Sequence, residues 1–260
     1  MDLPNREERI RYLKQETAKK PIFRISGEMM ENLAIRATGM SLASLASVLE
    51  LSLRTAIRDG KEEVTDAVLE EAFETFNSGE AKKWDPAELE RTARHEAGHA
   101  LLSWLAGDKP SYLTIVARAD HGGYMQHGDG ESKSLYTKNE LLSRIRTALG
   151  GRAAEIVCYG PEEGVSTGAS GDLASATAIA RRIICSYGMD EEFGLAALEP
   201  GEAGSPELRR AVNRILAEEM KKAVELISAN RGRLDALTDR LLTVNRMTGP
   251  EIDAVLSGRA

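Results

Sequence analysis

The chain has 260 residues, with 34 basic against 41 acidic side chains and a formal net charge of −7. That balance excludes a broadly nucleic-acid-binding surface. A 5% aromatic content beside 42% hydrophobic residues favours a helical core of Leu, Ala, Ile and Val over a β-sandwich.

In chain order, residues 4–20 are highly charged and read as an exposed helix. Met29, Leu33 and Ala37 follow at helical spacing until Gly39 breaks the pattern. Ser41 is placed to cap a helix bearing Leu42, Leu45, Leu49, Leu53 and Ile57, which stops at Asp59-Gly60. Thr65 is placed to cap a fourth helix, with Val68, Ala72 and Phe76 on one side. Residues 1–78 therefore read as one helical bundle, and 77–80 as the hinge to a second domain spanning 79–260. Asp85, Pro86 and Glu88 mark a strong helix start, with the helix running to about Ala106. Residues 111–118 carry β-formers, and a turn at Gly122-Gly123 leads to a short strand at Tyr124-Met125. Thr137 to Tyr159 reads as one helix, 161–171 as a loop, and Leu173 to Tyr187 as a helix stopped at Gly188. Pro206 to Asn230 and roughly Leu234 to Ser257 complete a mainly α chain with one small β-hairpin.

No apolar run approaches the ~20 residues that span a bilayer, and the N-terminus is too charged for a signal peptide. These residues are expected to be soluble, with any membrane anchor outside them. Cys158 and Cys185 have no metal or redox spacing, which fits a reducing compartment.

The sharpest chemical feature is His95-Glu96-Ala97-Gly98-His99. On a helix the two histidines lie one turn apart on one face, so both imidazoles reach one ion. Neutral imidazole suits Zn2+, and a catalytic site needs a third protein ligand beside an open position. Glu96, turned roughly 100° from His95, is placed to work as a base on water rather than as a ligand. The apolar stripe of this helix comprises Leu89, Ala93, Ala97, Ala100, Trp104 and Leu105. His95 and His99 fall largely opposite its middle, so they are not core histidines of that stripe. The third ligand has four candidates: His121, His127, Glu155 and Asp172. Asp172 is favoured locally because it sits in a helix first turn, where the dipole supports an ionised carboxylate. The same position equally suits a plain dipole partner. Thr114, Ile115 and Val116, on the first strand, are candidates to pair with an extended peptide at a sheet edge. Gly60-Lys61 lacks the upstream Gly and following Ser or Thr of a P-loop, so no nucleotide-binding residue is assigned.

Taken together, HEAGHA (95–100), LTIVAR (113–118), TKNELL (137–142), GGRAAE (150–155), STGASGDL (166–173) and YGM (187–189) resemble the FtsH family of ATP-dependent zinc metalloproteases, in the family's order. LPNREERIRYLK (3–14), residues 37–60 and EEVTDAVLEEAF (62–73) resemble the helical lid of an AAA ATPase module. The resemblance implies a mostly helical peptidase domain with one Zn2+ held by His95, His99 and Asp172, and Glu96 as catalytic base. It implies unfolded protein or peptide substrates, a homo-hexamer, and ATP/Mg2+ only through an ATPase core that is not in this sequence. It also implies a membrane-anchored full-length protein facing the cytoplasm or an organelle matrix, with this chain either a fragment of such a protein or a naturally shortened relative. Family lids commonly carry Gly where Leu42 stands, which counts against nucleotide contact there. Two other readings are a catalytically silent scaffold of the same fold and a different metal-dependent hydrolase such as an amidase. No motif residue is lost, which counts against the scaffold, and the in-order family motifs count against the other hydrolase.

Overall fold

The computed structural model describes residues 3–80, 85–117, 123–127, 135–195 and 205–259. Its N-terminal part contains α1 (Arg6–Ala18), α2 (Gly27–Arg36), α3 (Leu42–Arg58) and α4 (Asp66–Ser78). The side chain of Ser41 caps α3 by accepting from the Ser44 N–H at 3.1 Å. Thr65 occupies the N-cap of α4 but makes no side-chain capping bond. A feature absent from the sequence reading ties this part together. Strands β1 (Phe23–Arg24) and β2 (Val64–Thr65) pair in parallel, Phe23 against Val64. Leu13, Leu33, Leu45, Leu49, Val68 and Phe73 share one buried core here.

Next comes α5 (Pro86–Leu105), started by Asp85, whose carboxylate accepts from the Ala87 N–H at 2.9 Å. Strands β3 (Pro110–Thr114) and β4 (Tyr124–His127) follow, then α6 (Lys138–Ala148), α7 (Gly150–Tyr159) and α8 (Ser170–Cys185). The chain closes with α9 (Pro206–Ala229), α10 (Arg231–Val244), β5 (Arg246–Thr248) and α11 (Gly249–Leu256). The fold is mainly α with small sheets, as the composition suggested.

Three sequence expectations are corrected. Thr137–Tyr159 is two helices, divided at Leu149, where Gly150 and Gly151 follow. The span 234–257 is broken by Asn245, whose left-handed backbone (φ 61°) ends α10 and releases β5. And β3 is the centre of a three-stranded sheet ordered β4-β3-β5, not an edge. Thr114 stands opposite Tyr124 on one side and Arg246 on the other. Just beyond, the Ile115 N–H donates to the Asn245 carbonyl and the Val116 N–H to Thr114 Oγ1. Thr114 therefore offers no free edge for added-strand pairing, and the two outer strands of the sheet are β4 and β5.

Strand alternation sorts the sheet's two faces. Leu113, Met125 and Met247 point into the core shared by α5, α7, α9, α10 and α11. Tyr112, Tyr124, Gln126 and Arg246 point towards the N-terminal helices.

Candidate metal centre

Helix α5 carries His95, Glu96 and His99, and all three are buried, with 7–8% of their surface exposed. The expectation that the histidines lie away from their helix's apolar stripe is half the picture. The opposite face of α5 is covered as well, because α7 packs directly on it. That approach depends on glycine. A Cβ on Gly98 would lie 2.4 Å from the Gly150 carbonyl oxygen, and one on Gly151 would lie 2.2 Å from His95 Nε2. Only bare backbone lets the imidazole lie against α7.

Each imidazole is held by its Nδ1. His95 Nδ1 lies 2.7 Å from Glu155 Oε1, and His99 Nδ1 lies 2.7 Å from the Thr147 carbonyl. Thr147 is in the last turn of α6, where carbonyls lack helical partners and are free to accept. The break at Leu149 thus supplies the acceptor that orients His99. Glu155 is itself fixed by Arg91 (2.8 Å) and Ser166 Oγ (3.1 Å). With Nδ1 engaged as donor, both Nε2 atoms turn inward.

Inward lies Asp172, in the first turn of α8. Its Oδ2 is 3.0 Å from His95 Nε2 and 3.3 Å from His99 Nε2. Among the described residues, His95, His99 and Asp172 are the group whose ligand atoms converge, all within 4.8 Å of one another. Of the other third-ligand candidates, Glu155 sits on the far nitrogen of His95. His127 pairs with Asp108 at 2.8 Å on the end of β4. His121 lies outside the described residues.

The electrostatics follow from this packing. Burial works against a charged His95, but hydrogen bonds to Asp172 and Glu155 outweigh it and push its pKa up to about 10. Burial likewise opposes an ionised Asp172, and the two histidines reverse that, holding it well below the usual carboxylate range. Burial raises Glu96, and the two histidines only partly offset it. Glu96 also faces open space. It lines one cleft with Thr92, Gly123, Ser166 and Gly171, and a second with His99, Met125 and His127.

The spacing of Asp172 from the two imidazoles fits a small tetrahedral ion. Bonds of about 2.0–2.1 Å at tetrahedral angles space ligand atoms about 3.3 Å apart, close to the 3.0 and 3.3 Å from Asp172 Oδ2 to the two Nε2 atoms, and all three ligand atoms lie within 4.8 Å of one another. Two neutral imidazoles plus one carboxylate is a set that zinc accepts. The sequence reading missed Gly151, Thr147, Arg91 and Ser166. A Gly-Gly pair inside a helical pattern was the one available signal, since such glycines usually have a packing reason.

Residues 82–255 match the family model "Peptidase family M41". The chain is 34% identical over 268 residues to "ATP-dependent zinc metalloprotease FtsH 3" of Sphaerobacter thermophilus, covering 100% of this chain and 54% of the relative. It is 34% identical over 239 residues to "ATP-dependent zinc metalloprotease FtsH 2" of Symbiobacterium thermophilum, covering 86% and 40%. The Thermotoga maritima "ATP-dependent zinc metalloprotease FtsH" is 31% identical over 280 residues, covering 99% and 45%. The chain thus spans about half the length of these curated relatives, or less. With the family model matched across α5 to α11, the chain belongs to peptidase family M41, as an FtsH-family peptidase domain.

Proposed function

We propose that residues 79–260 form a zinc-dependent endopeptidase that hydrolyses peptide bonds in unfolded or extended protein segments. His95, His99 and Asp172 would hold the ion, and Glu96 would be the general base. The observation that carries this reading is the convergence of three buried donor atoms beside a buried carboxylate that opens onto a cleft.

Zinc bound there would supply Lewis acidity, acidifying water and stabilising negative charge on a polarised carbonyl oxygen. The protein's own residues do the rest. Glu155 and the Thr147 carbonyl keep the His95 and His99 tautomers fixed, so that Nε2 is the ligating atom of each. Glu96 takes the proton from the attacking water and delivers it to the leaving amine. Its burial favours that exchange, because a raised pKa brings a carboxyl closer to the working pH. Thr114, Ile115 and Val116 would support the substrate-facing sheet from its centre, while an extended segment lies along the cleft.

The same proposal takes 1–78 as an AAA-type lid. ATP and Mg2+ would act only through an ATPase core that unfolds and threads substrate. Hexameric assembly and membrane anchoring through other segments belong to this reading too. No helix among the described residues is long and apolar enough to cross a membrane.

The test is metal content of the purified chain and of Asp172→Asn, with casein cleavage measured before and after chelation. We expect about one zinc per chain, lost or much weakened in the variant, and cleavage abolished by chelator. Absence of zinc under metal-replete conditions would overturn the reading.

A further inference from the structure

Outside the metal centre, a buried guanidinium lies where the N-terminal helices meet the sheet. Arg36, in the last turn of α2, has a side chain with no exposed surface. Its guanidinium lies 3.5 Å from the ring centroid of Tyr112 and 4.9 Å from that of Phe73. One nitrogen reaches both Glu70 oxygens, at 2.9 and 2.8 Å, and another binds Glu74, both acids on α4. The two carboxylates then hold the sheet. Tyr112 Oη donates to Glu70 at 2.7 Å, and Tyr124 Oη to Glu74 at 2.7 Å. Gln126 donates to the Arg36 carbonyl at 3.2 Å, and Arg246 to Glu71 at 2.5 Å. All three strands are thus gripped on one face by α2 and α4.

The grip on β4 leads to the site. Tyr124 follows Gly123, whose backbone lies hard against α5. A Cβ there would stand 2.7 Å from the Thr114 carbonyl oxygen, 3.0 Å from Glu96 Cγ and 3.2 Å from Thr92 Cγ2. The residue next to the lid-held tyrosine thus packs against the stem of the glutamate proposed as base. As one of the two outer strands, β4 has a sheet neighbour on one side only. The hydroxyl bond to Glu74 therefore fixes a strand that the sheet alone holds weakly.

We propose that Arg36, Glu74 and Tyr124 are positioning residues that set β4, and through Gly123 the Glu96 side chain, so that peptidase turnover depends on the lid's seat against the sheet. This rests on the reading of Glu96 as general base. It assigns the N-terminal helices a task in the peptide-cleaving step itself, apart from any contact with nucleotide. A lid that shifted by an ångström would move the wall of the cleft and the base together.

The test compares Tyr124→Phe, which removes only the hydroxyl, with Arg246→Gln, which cuts the tie from α4 to β5 on the far side of the sheet. Casein cleavage kinetics, zinc content and amide exchange over 123–127 are measured on the full chain. For Tyr124→Phe we expect kcat to fall about 5- to 10-fold with KM within about 2-fold, because a small misplacement acts on the chemical step. Zinc content should be unchanged, and exchange over 123–127 faster by about 10-fold. Arg246→Gln should leave kcat within about 2-fold, whereas a merely structural role would make the two variants alike. An unchanged kcat in Tyr124→Phe, with or without faster exchange, overturns the proposal, as do equal losses in both variants. A wild-type chain that binds no zinc and cleaves nothing would sink the peptidase reading instead. The exchange arm would still report whether Tyr124 holds the strand.

Discussion

Around Arg36 a guanidinium sits at the centre and carboxylates close on it from α4, while around His95 and His99 the centre is where lone pairs meet. Both clusters are buried, and both press on β4 or on the helix behind it. They differ in where the positive charge comes from. In the first it is a permanent part of a side chain, held by two acids and two aromatic rings. In the second, on the function proposed above, it would be exchangeable: a proton on His95, shared towards Asp172, or a divalent ion in the same place. A buried charge must be paired, but the pairing can be built in or left open to solution conditions. The first arrangement makes a fixed joint, and the second would make a site that responds to metal and pH.

The comparison breaks most sharply at Arg36. Arg36→Met removes the central cation and leaves Glu70 and Glu74 facing each other, which for a buried pair costs about 3–5 kcal/mol. The loss should be the same with zinc present as with it removed, because no ligand replaces a guanidinium. Chemical denaturation of wild type and variant, each in zinc and in chelator, measures this. A loss that zinc recovers would show that the two clusters are one system.

A smaller effect is expected on the other side of the comparison. Glu155→Gln keeps the shape of the partner of His95 Nδ1 but removes its charge. Loss of such a supporting carboxylate typically weakens metal binding about 10–100-fold. Competition with a zinc chelator of known affinity reads this directly. Gly151→Ala should weaken zinc binding by a similar about 10–100-fold factor through a different cause, since its Cβ would collide with the His95 ring. Unchanged zinc affinity in both variants would mean that the imidazole's support is irrelevant to the centre.

How much of this was legible in the sequence divides along the same line. The spacing of His95 and His99 is a property of one helix, so it could be read from the chain. Asp172 is 73 residues beyond His99, and local argument left it level with a dipole partner; only the packing of α8 sets it against both rings. Gly151 read as part of a helix pattern because its purpose is another helix's side chain. The Arg36 cluster left no signal at all. An arginine in the last turn of an amphipathic helix reads as a solvated cation, and Tyr112 and Tyr124 read only as β-formers. The same limit explains β3: its β-propensity was plain, but its second neighbour comes from β5, three residues long and released by the left-handed turn at Asn245.

The smallest predicted effect separates the exchangeable charge from the permanent one by pH. His95 titrates near 6.5 in an unfolded chain and is pushed up to about 10 in the folded, metal-free one. Between those values the folded state holds more protons than the unfolded state. Stability is therefore fully present below about 6.5 and is lost as pH rises towards about 10. Glu96, raised by burial, acts in the same direction. From pH 7 to 8 the chelated chain should lose at most about 1.4 kcal/mol through His95, the limit for one proton per pH unit. With zinc bound the imidazole is already neutral, so the slope from His95 should vanish, and zinc uptake near pH 8 should release about one proton. Denaturation at pH 7 and 8 with and without zinc, and zinc titration in buffers of different ionisation enthalpy, check both halves. If the slope persisted unchanged with zinc bound, the proton and the ion would not be exchanging at His95. The centre would then be a fixed joint like the one at Arg36.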